Sequence, residues 1–133
     1  MRSVRLPLFA TAVFGLTAFA AADGAPSMDP AVVNAKTAHV TFENDRVRVL
    51  EAVLQPGDKE QMHSHPAYVI YVLAGGKMRN HAADGTTSEL EFVTGQTIFR
   101  EPLTHWAENI GTTTVHVLLV ELKQPRQAVS HGD

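Results

Sequence analysis

The sequence contains no cysteine. Disulfide staples, thiolate metal sites and cysteine nucleophiles are therefore excluded, and the fold has to stand on its core alone. Charge is scarce as well, at 19% of residues, and basic residues (11) are fewer than acidic ones (14), so no basic footprint points to nucleic acid. The 44% hydrophobic content lies well above that of a disordered chain. A length of 133 residues leaves room for one domain and none for a second core. Beyond the first 22 residues, no long stretch keeps a helical period.

What is present first is a segment of different character. Arg2 and Arg5 open it, an uncharged apolar run follows from Leu6 to Ala20, and small residues crowd Ala18 to Ala22. A positive start, a short apolar centre and an A-x-A end describe a secretory signal peptide over residues 1–22, cleaved after Ala20 or Ala22. The run is short for a membrane span, which needs roughly 20 apolar residues, and Pro7 interrupts it. Cleavage after Ala22 removes two of the 11 basic residues and none of the 14 acidic ones, taking the net charge from −3 to −5. The expected product is exported, periplasmic or extracellular, without stable membrane insertion. It comprises a polar lead-in at 23–37, a β domain at 38–123 and a flexible, proline-interrupted tail at 124–133.

The mature part reads as short β-branched and aromatic runs at 39–42, 47–54, 61–65, 68–73, 77–81, 88–93, 97–100, 106–108 and 114–122. Pro56-Gly57, Gly75-Gly76, Asp84-Gly85 and Thr94-Gly95 punctuate them with residues suited to tight turns. About nine strands in one small domain predict an all-β fold, a jelly roll or small barrel. The largely apolar runs 68–73 and 115–120 read as central or covered on both faces, whereas 77–81 and 88–92 alternate as half-exposed strands do.

Seven histidines are many for this length. Residues two apart in a strand share a face, so His63 and His65 can aim at one interior point. His105, 40 residues later, can be folded opposite them. Three neutral imidazoles suit Fe, Zn, Ni, Cu or Mn, with open positions left for water or substrate; the plainer alternative is an exposed strand face with His105 in a loop. His81, at a strand end, either lines the barrel mouth or is solvated. Tyr68 and Trp106 read as pocket wall, Trp106 shaping the mouth beside His105. Glu101 is either an acceptor for an imidazole N–H or an exposed carboxylate, Glu60 is expected in solvent, and His116 is expected against a partner or second sheet. His39 and His131 receive no role.

The stretch Gly57-Asp-Lys-Glu-Gln-Met-His63-Ser-His65, running through 68–73 to Gly75-Gly76, resembles the first cupin motif. Gly95 and Pro102-Leu-Thr-His105-Trp-Ala-Glu-Asn109 resemble the second. The similarity spans residues 38–123 and looks closest to small single-domain cupins associated in some bacteria with β-alanine degradation. It implies a single-domain cupin-type jelly-roll barrel with His63, His65 and His105 as metal ligands. The metal-binding glutamate of that family would fall at Val69 or Ile70, both apolar here. One fewer anion in the site should favour an anionic ligand such as a small carboxylate. The resemblance implies either an enzyme, of dioxygenase, isomerase or decarboxylase type, or a non-catalytic module binding a metal or small ligand. Pairing into a homodimer through sheet edges is a further expectation.

Overall fold

The structure, a computed structural model, describes residues 25–124. The signal segment 1–22 and the tail from 125 onward, with His131, lie outside the described residues. No helix among the described residues is long and apolar enough to cross a membrane.

One short helix, α1 (Pro30–Val33), precedes nine strands: β1 (Ala38–Glu43), β2 (Val47–Leu54), β3 (His63–His65), β4 (Tyr68–Ala74), β5 (Gly76–Ala82), β6 (Thr87–Phe92), β7 (Thr97–Arg100), β8 (Leu103–Asn109) and β9 (Val115–Leu122). They form a five-stranded sheet, β1-β2-β9-β4-β7, and a four-stranded sheet, β3-β8-β5-β6, with antiparallel pairing throughout. The result is a jelly roll of two facing sheets. They keep their own edges and do not close into the continuous barrel the resemblance implied.

Alternation decides which side chains meet between the sheets. In β2, Leu50, Ala52 and Leu54 point inward and are buried; in β9 it is Val115 and Val117, and in β4 it is Tyr68, Ile70 and Val72. Met78 and Ala107 face them from the smaller sheet, with Leu90 and Phe92 packed alongside. The other parity of the large sheet stays uncovered. Tyr71 is 43% exposed, Leu73 38% and Phe99 54%, so the run 68–73 is central in its sheet but covered on one face only. A two-layer sandwich buries only the inner face of each sheet. His116 likewise lies on the outer face, bonded through Nε2 to Glu51 at 2.6 Å, with His39 3.2 Å from the same carboxylate. Among the described residues it packs against no second sheet.

Two strand bounds differ from the sequence reading for a local reason. Gln61 is drawn out of the ladder because its backbone N–H donates to Asn34 Oδ1 at 2.6 Å, so β3 begins only at His63. β8 begins early, at Leu103, because Ser64 and Thr104 pair across β3 and β8 with their hydroxyls 2.8 Å apart. The lead-in also carries structure. Asp29 caps α1 by accepting from the Ala31 N–H, Pro30 and Asn34 are buried, and the Met28 carbonyl accepts from the Ser64 N–H at 2.8 Å.

Glycine is required at the two turns that enter and leave the first His-containing region. Gly57 has φ +88°, in the left-handed region, and its N–H donates to the Asn109 carbonyl. At Gly75 the constraint is space, since a Cβ there would meet the Phe92 carbonyl oxygen at 2.1 Å. Gly75→Ala is expected to cost ~2 kcal/mol in urea unfolding through forced backbone movement. Gly85→Ala, where a Cβ meets nothing within 4 Å but φ is +88°, should cost less, roughly 1 kcal/mol. A smaller loss at 75 than at 85 would contradict this packing.

Candidate metal centre

Register brings the histidines together. In the β3/β8 pair, His63 stands directly opposite His105, and His65 lies two residues along on the same face. All three are buried, and one ring nitrogen from each falls within 4.8 Å of the others, close enough to share an ion. The ring centroids are 4.5 to 5.4 Å apart.

Which nitrogens face inward follows from the hydrogen bonds. His63 Nδ1 has two neighbours, the Gln61 carbonyl at 2.7 Å and the Asn34 amide nitrogen at 3.0 Å. The shorter contact is to an oxygen that can only accept, which makes Nδ1 the donor, and the Asn34 amide also donates to that carbonyl at 3.3 Å. His65 Nδ1 donates to Glu121 Oε1 at 2.7 Å. Glu121 in turn accepts from Arg48 Nε at 2.8 Å, and Arg48 forks onto Asp29 at 2.7 and 3.1 Å. His105 Nδ1 donates to Asn80 Oδ1. Each Nδ1 is thus tied to an oxygen, which leaves the Nε2 lone pairs to converge. Among the described residues, His105 Nε2 is the one buried side-chain polar atom without a hydrogen-bond partner. A buried acceptor left without a donor is costly, and a cation satisfies it.

The protonation states suit that role. Burial pushes His63 down to about 4. It pushes His105 to about 3, with the neighbouring imidazoles and the Arg100 charge acting in the same direction. Both rings are therefore neutral near pH 7, as metal ligation demands. For Glu121, burial raises the pKa, but hydrogen bonds from His65 and Arg48 outweigh it and hold the carboxyl below its ordinary value. Arg48 is raised above its ordinary value by its bond to Asp29. The donor set fits a divalent ion of the Fe, Zn, Ni, Cu or Mn kind.

The triad borders a cavity of about 110 Å³ between the sheets, walled by Leu50, Ile70, Leu90 and other apolar side chains. Glu60, Asn80 and Arg100 bring polar atoms into it. Glu60 is not in solvent as its sequence context suggested. Its side chain is 9% exposed, its Oε2 lies 3.9 Å from His63 Nε2, and burial pushes its carboxyl up to about 7. Tyr68 is in the wall too, its ring 4.6 Å from that of His65, with burial pushing its hydroxyl up to about 12.

The remaining sequence candidates lie elsewhere. Trp106 alternates out of the cavity because His105 and Ala107 alternate in; its ring stacks on His81 with centroids 3.6 Å apart. His81 Nε2 meets Glu108 at 3.0 Å, so it neither lines the mouth nor reaches the triad. Glu101 is exposed just ahead of Pro102 and touches no imidazole, whose acceptors are Gln61, Glu121 and Asn80. Ile70, where the family glutamate could fall, is an apolar part of the cavity wall.

Solved structures share this fold. A cupin domain from Bordetella pertussis Tohama I superposes with a TM-score of 0.60 at 25% identity, over 65% of this chain and 92% of that one. An RmlC-like cupin family protein with a double-stranded β-helix fold from Methanocaldococcus jannaschii gives 0.54 at 17% identity, over 68% and 84%. An oxalate decarboxylase gives 0.50 at 20% identity, over 63% of this chain and 25% of the larger one. No family model and no curated protein matches the sequence. The two-sheet jelly roll with a histidine triad between its layers defines a cupin. The chain belongs to the cupin superfamily, and nothing in these relatives bears on β-alanine degradation.

Purified without chelators, the protein is expected to hold one metal ion per chain; His63→Ala or His65→Ala should remove it, and His81→Ala should leave it in place. Elemental analysis decides, and an unchanged metal content in His63→Ala would refute the site. In the metal-free chain, His63 and His105 are protonated near 6.5 when unfolded but only at about 4 and 3 when folded, so stability falls as pH drops from 6.5. Glu60 acts oppositely, because the fold keeps its proton up to about 7 while the unfolded chain loses it near 4.5. Glu60→Gln should therefore gain stability over the parent as pH rises from 5 to 7. A pH-independent difference in urea midpoint would contradict the buried placement of Glu60.

Proposed function

We propose that this protein is an exported, metal-dependent cupin enzyme that acts on a small carboxylate-bearing molecule. Glu60 carries the reading: a carboxyl group shares a largely apolar cavity with three convergent imidazoles, 3.9 Å from one of them. A divalent metal held by His63, His65 and His105 would supply a Lewis acid or, if iron, an oxygen-activating centre. The chain's own residues do the rest. Glu121, Asn80 and the Gln61 carbonyl fix the ring orientations, and the apolar wall excludes water. Glu60 Oε2 is placed to take or give a proton at an atom bound beside the triad. The arrangement is compatible with dioxygenase, isomerase or decarboxylase chemistry.

The other reading is a module that binds a metal or small ligand without turnover. That module needs only the imidazoles and an apolar cavity, whereas the buried Glu60 supports catalysis. The test is to load the protein separately with Fe, Mn, Ni, Cu and Zn and offer each form short carboxylic acids, following products by NMR and oxygen by electrode. Turnover is expected with at least one metal. Glu60→Gln should lower kcat by about 100-fold or more while the metal content stays the same. Equal turnover by Glu60→Gln, or none by any form of the parent, would favour the binding module.

A further inference from the structure

On the inner face of the large sheet, one row of paired residues runs across four strands: Arg48 opposite Glu121, Glu121 opposite Tyr68, and Tyr68 opposite Arg100. Two guanidinium groups thus end the row, and they are treated differently. Arg48 is fully engaged by Glu121 and Asp29. Arg100 lines the cavity half-buried, and among the described residues no carboxylate lies within ion-pair distance of it. A half-buried guanidinium with no carboxylate partner is free to take an anion from solution. Its planar fork matches a carboxylate in two-point contact.

The surroundings narrow the anion further. Arg100 sits next to Tyr68 in the ladder, and the Tyr68 ring lies against that of His65 at a tilt of 32°, so a group held by Arg100 is one residue removed from the triad. Its charge acts on both the Tyr68 hydroxyl and the His105 ring, lowering the pKa of each. The remaining walls, Leu50, Leu90, Leu103 and Leu119 among them, offer a short aliphatic body contacts but no second cation. The cavity, of about 110 Å³, suits a short aliphatic body.

We propose that Arg100 anchors the ligand's carboxylate and makes the site selective for short monocarboxylates over neutral molecules of the same shape. This rests on reading the cavity as the ligand site, but not on the metal.

The experiment titrates propanoate and its neutral isostere propanamide into metal-free and zinc-loaded protein by calorimetry, with zinc content measured in the same samples. Propanoate should bind the parent at least about tenfold more tightly than propanamide. Arg100→Gln should weaken propanoate about tenfold or more, leaving propanamide and zinc content unchanged. Arg100→Lys, which keeps the charge but loses the fork, should fall between and decides the question if Arg100→Gln fails to fold. Propanoate binding that is undetectable in the parent, equal to that of propanamide, or unaffected by these substitutions would overturn the proposal. Failure of the metal reading would show separately as absent zinc, with the metal-free titrations still deciding the role of Arg100.

Discussion

A three-residue strand has to pair with β8 in one register only. With His63 opposite His105, both rings and that of His65 enter the space between the sheets. A slip of one residue would turn the histidines of β3 to the other face and leave Ser64 inside. The hydroxyl contact between Ser64 and Thr104 on the outward side holds this register, as does the Met28 carbonyl on the Ser64 N–H. Everything attributed to the site depends on that pairing.

Holding three imidazoles together in a buried place is costly, and the structure shows how the cost is contained. Burial keeps His63 and His105 uncharged, so no like-charge repulsion builds up near neutral pH. Each Nδ1 has an oxygen acceptor, and these acceptors come from three different parts of the chain: the turn before β3, strand β9 and strand β5. The lead-in secures two of them, through Asn34 at Gln61 and through Asp29 on the Arg48–Glu121 pair. The remaining cost sits at His105 Nε2, where a hydrogen-bond partner is missing and a metal ion would serve. A site that holds neutral, oriented rings is one that an ion would satisfy.

Much of this was legible in the sequence, for identifiable reasons. Period-two runs and glycine-bearing turns disclosed the nine strands, because strand alternation is a local property. His-x-His disclosed a shared face, again locally. Glu121 and Asn80 could have been read by the same rule, since Glu121 keeps the parity of Val115 and Val117 and Asn80 that of Met78. Glu60 could not. It belongs to the irregular segment before β3, where no periodicity says which way a side chain points, and only the folded chain turns it into the cavity beside His63. Trp106 and His81 were drawn towards the site by nearness in sequence to His105 and to a turn, but adjacency in a strand means opposite faces. The uncovered face of β4 was hidden for another reason: Tyr71 and Leu73 are as apolar as a doubly buried strand would require.

The most direct measurement is X-ray absorption on protein loaded with one equivalent of zinc or iron. The account predicts one ion per chain with three imidazole nitrogens in its shell, at about 2.1 Å. A shell without histidine, or an ion lost on desalting, would contradict it.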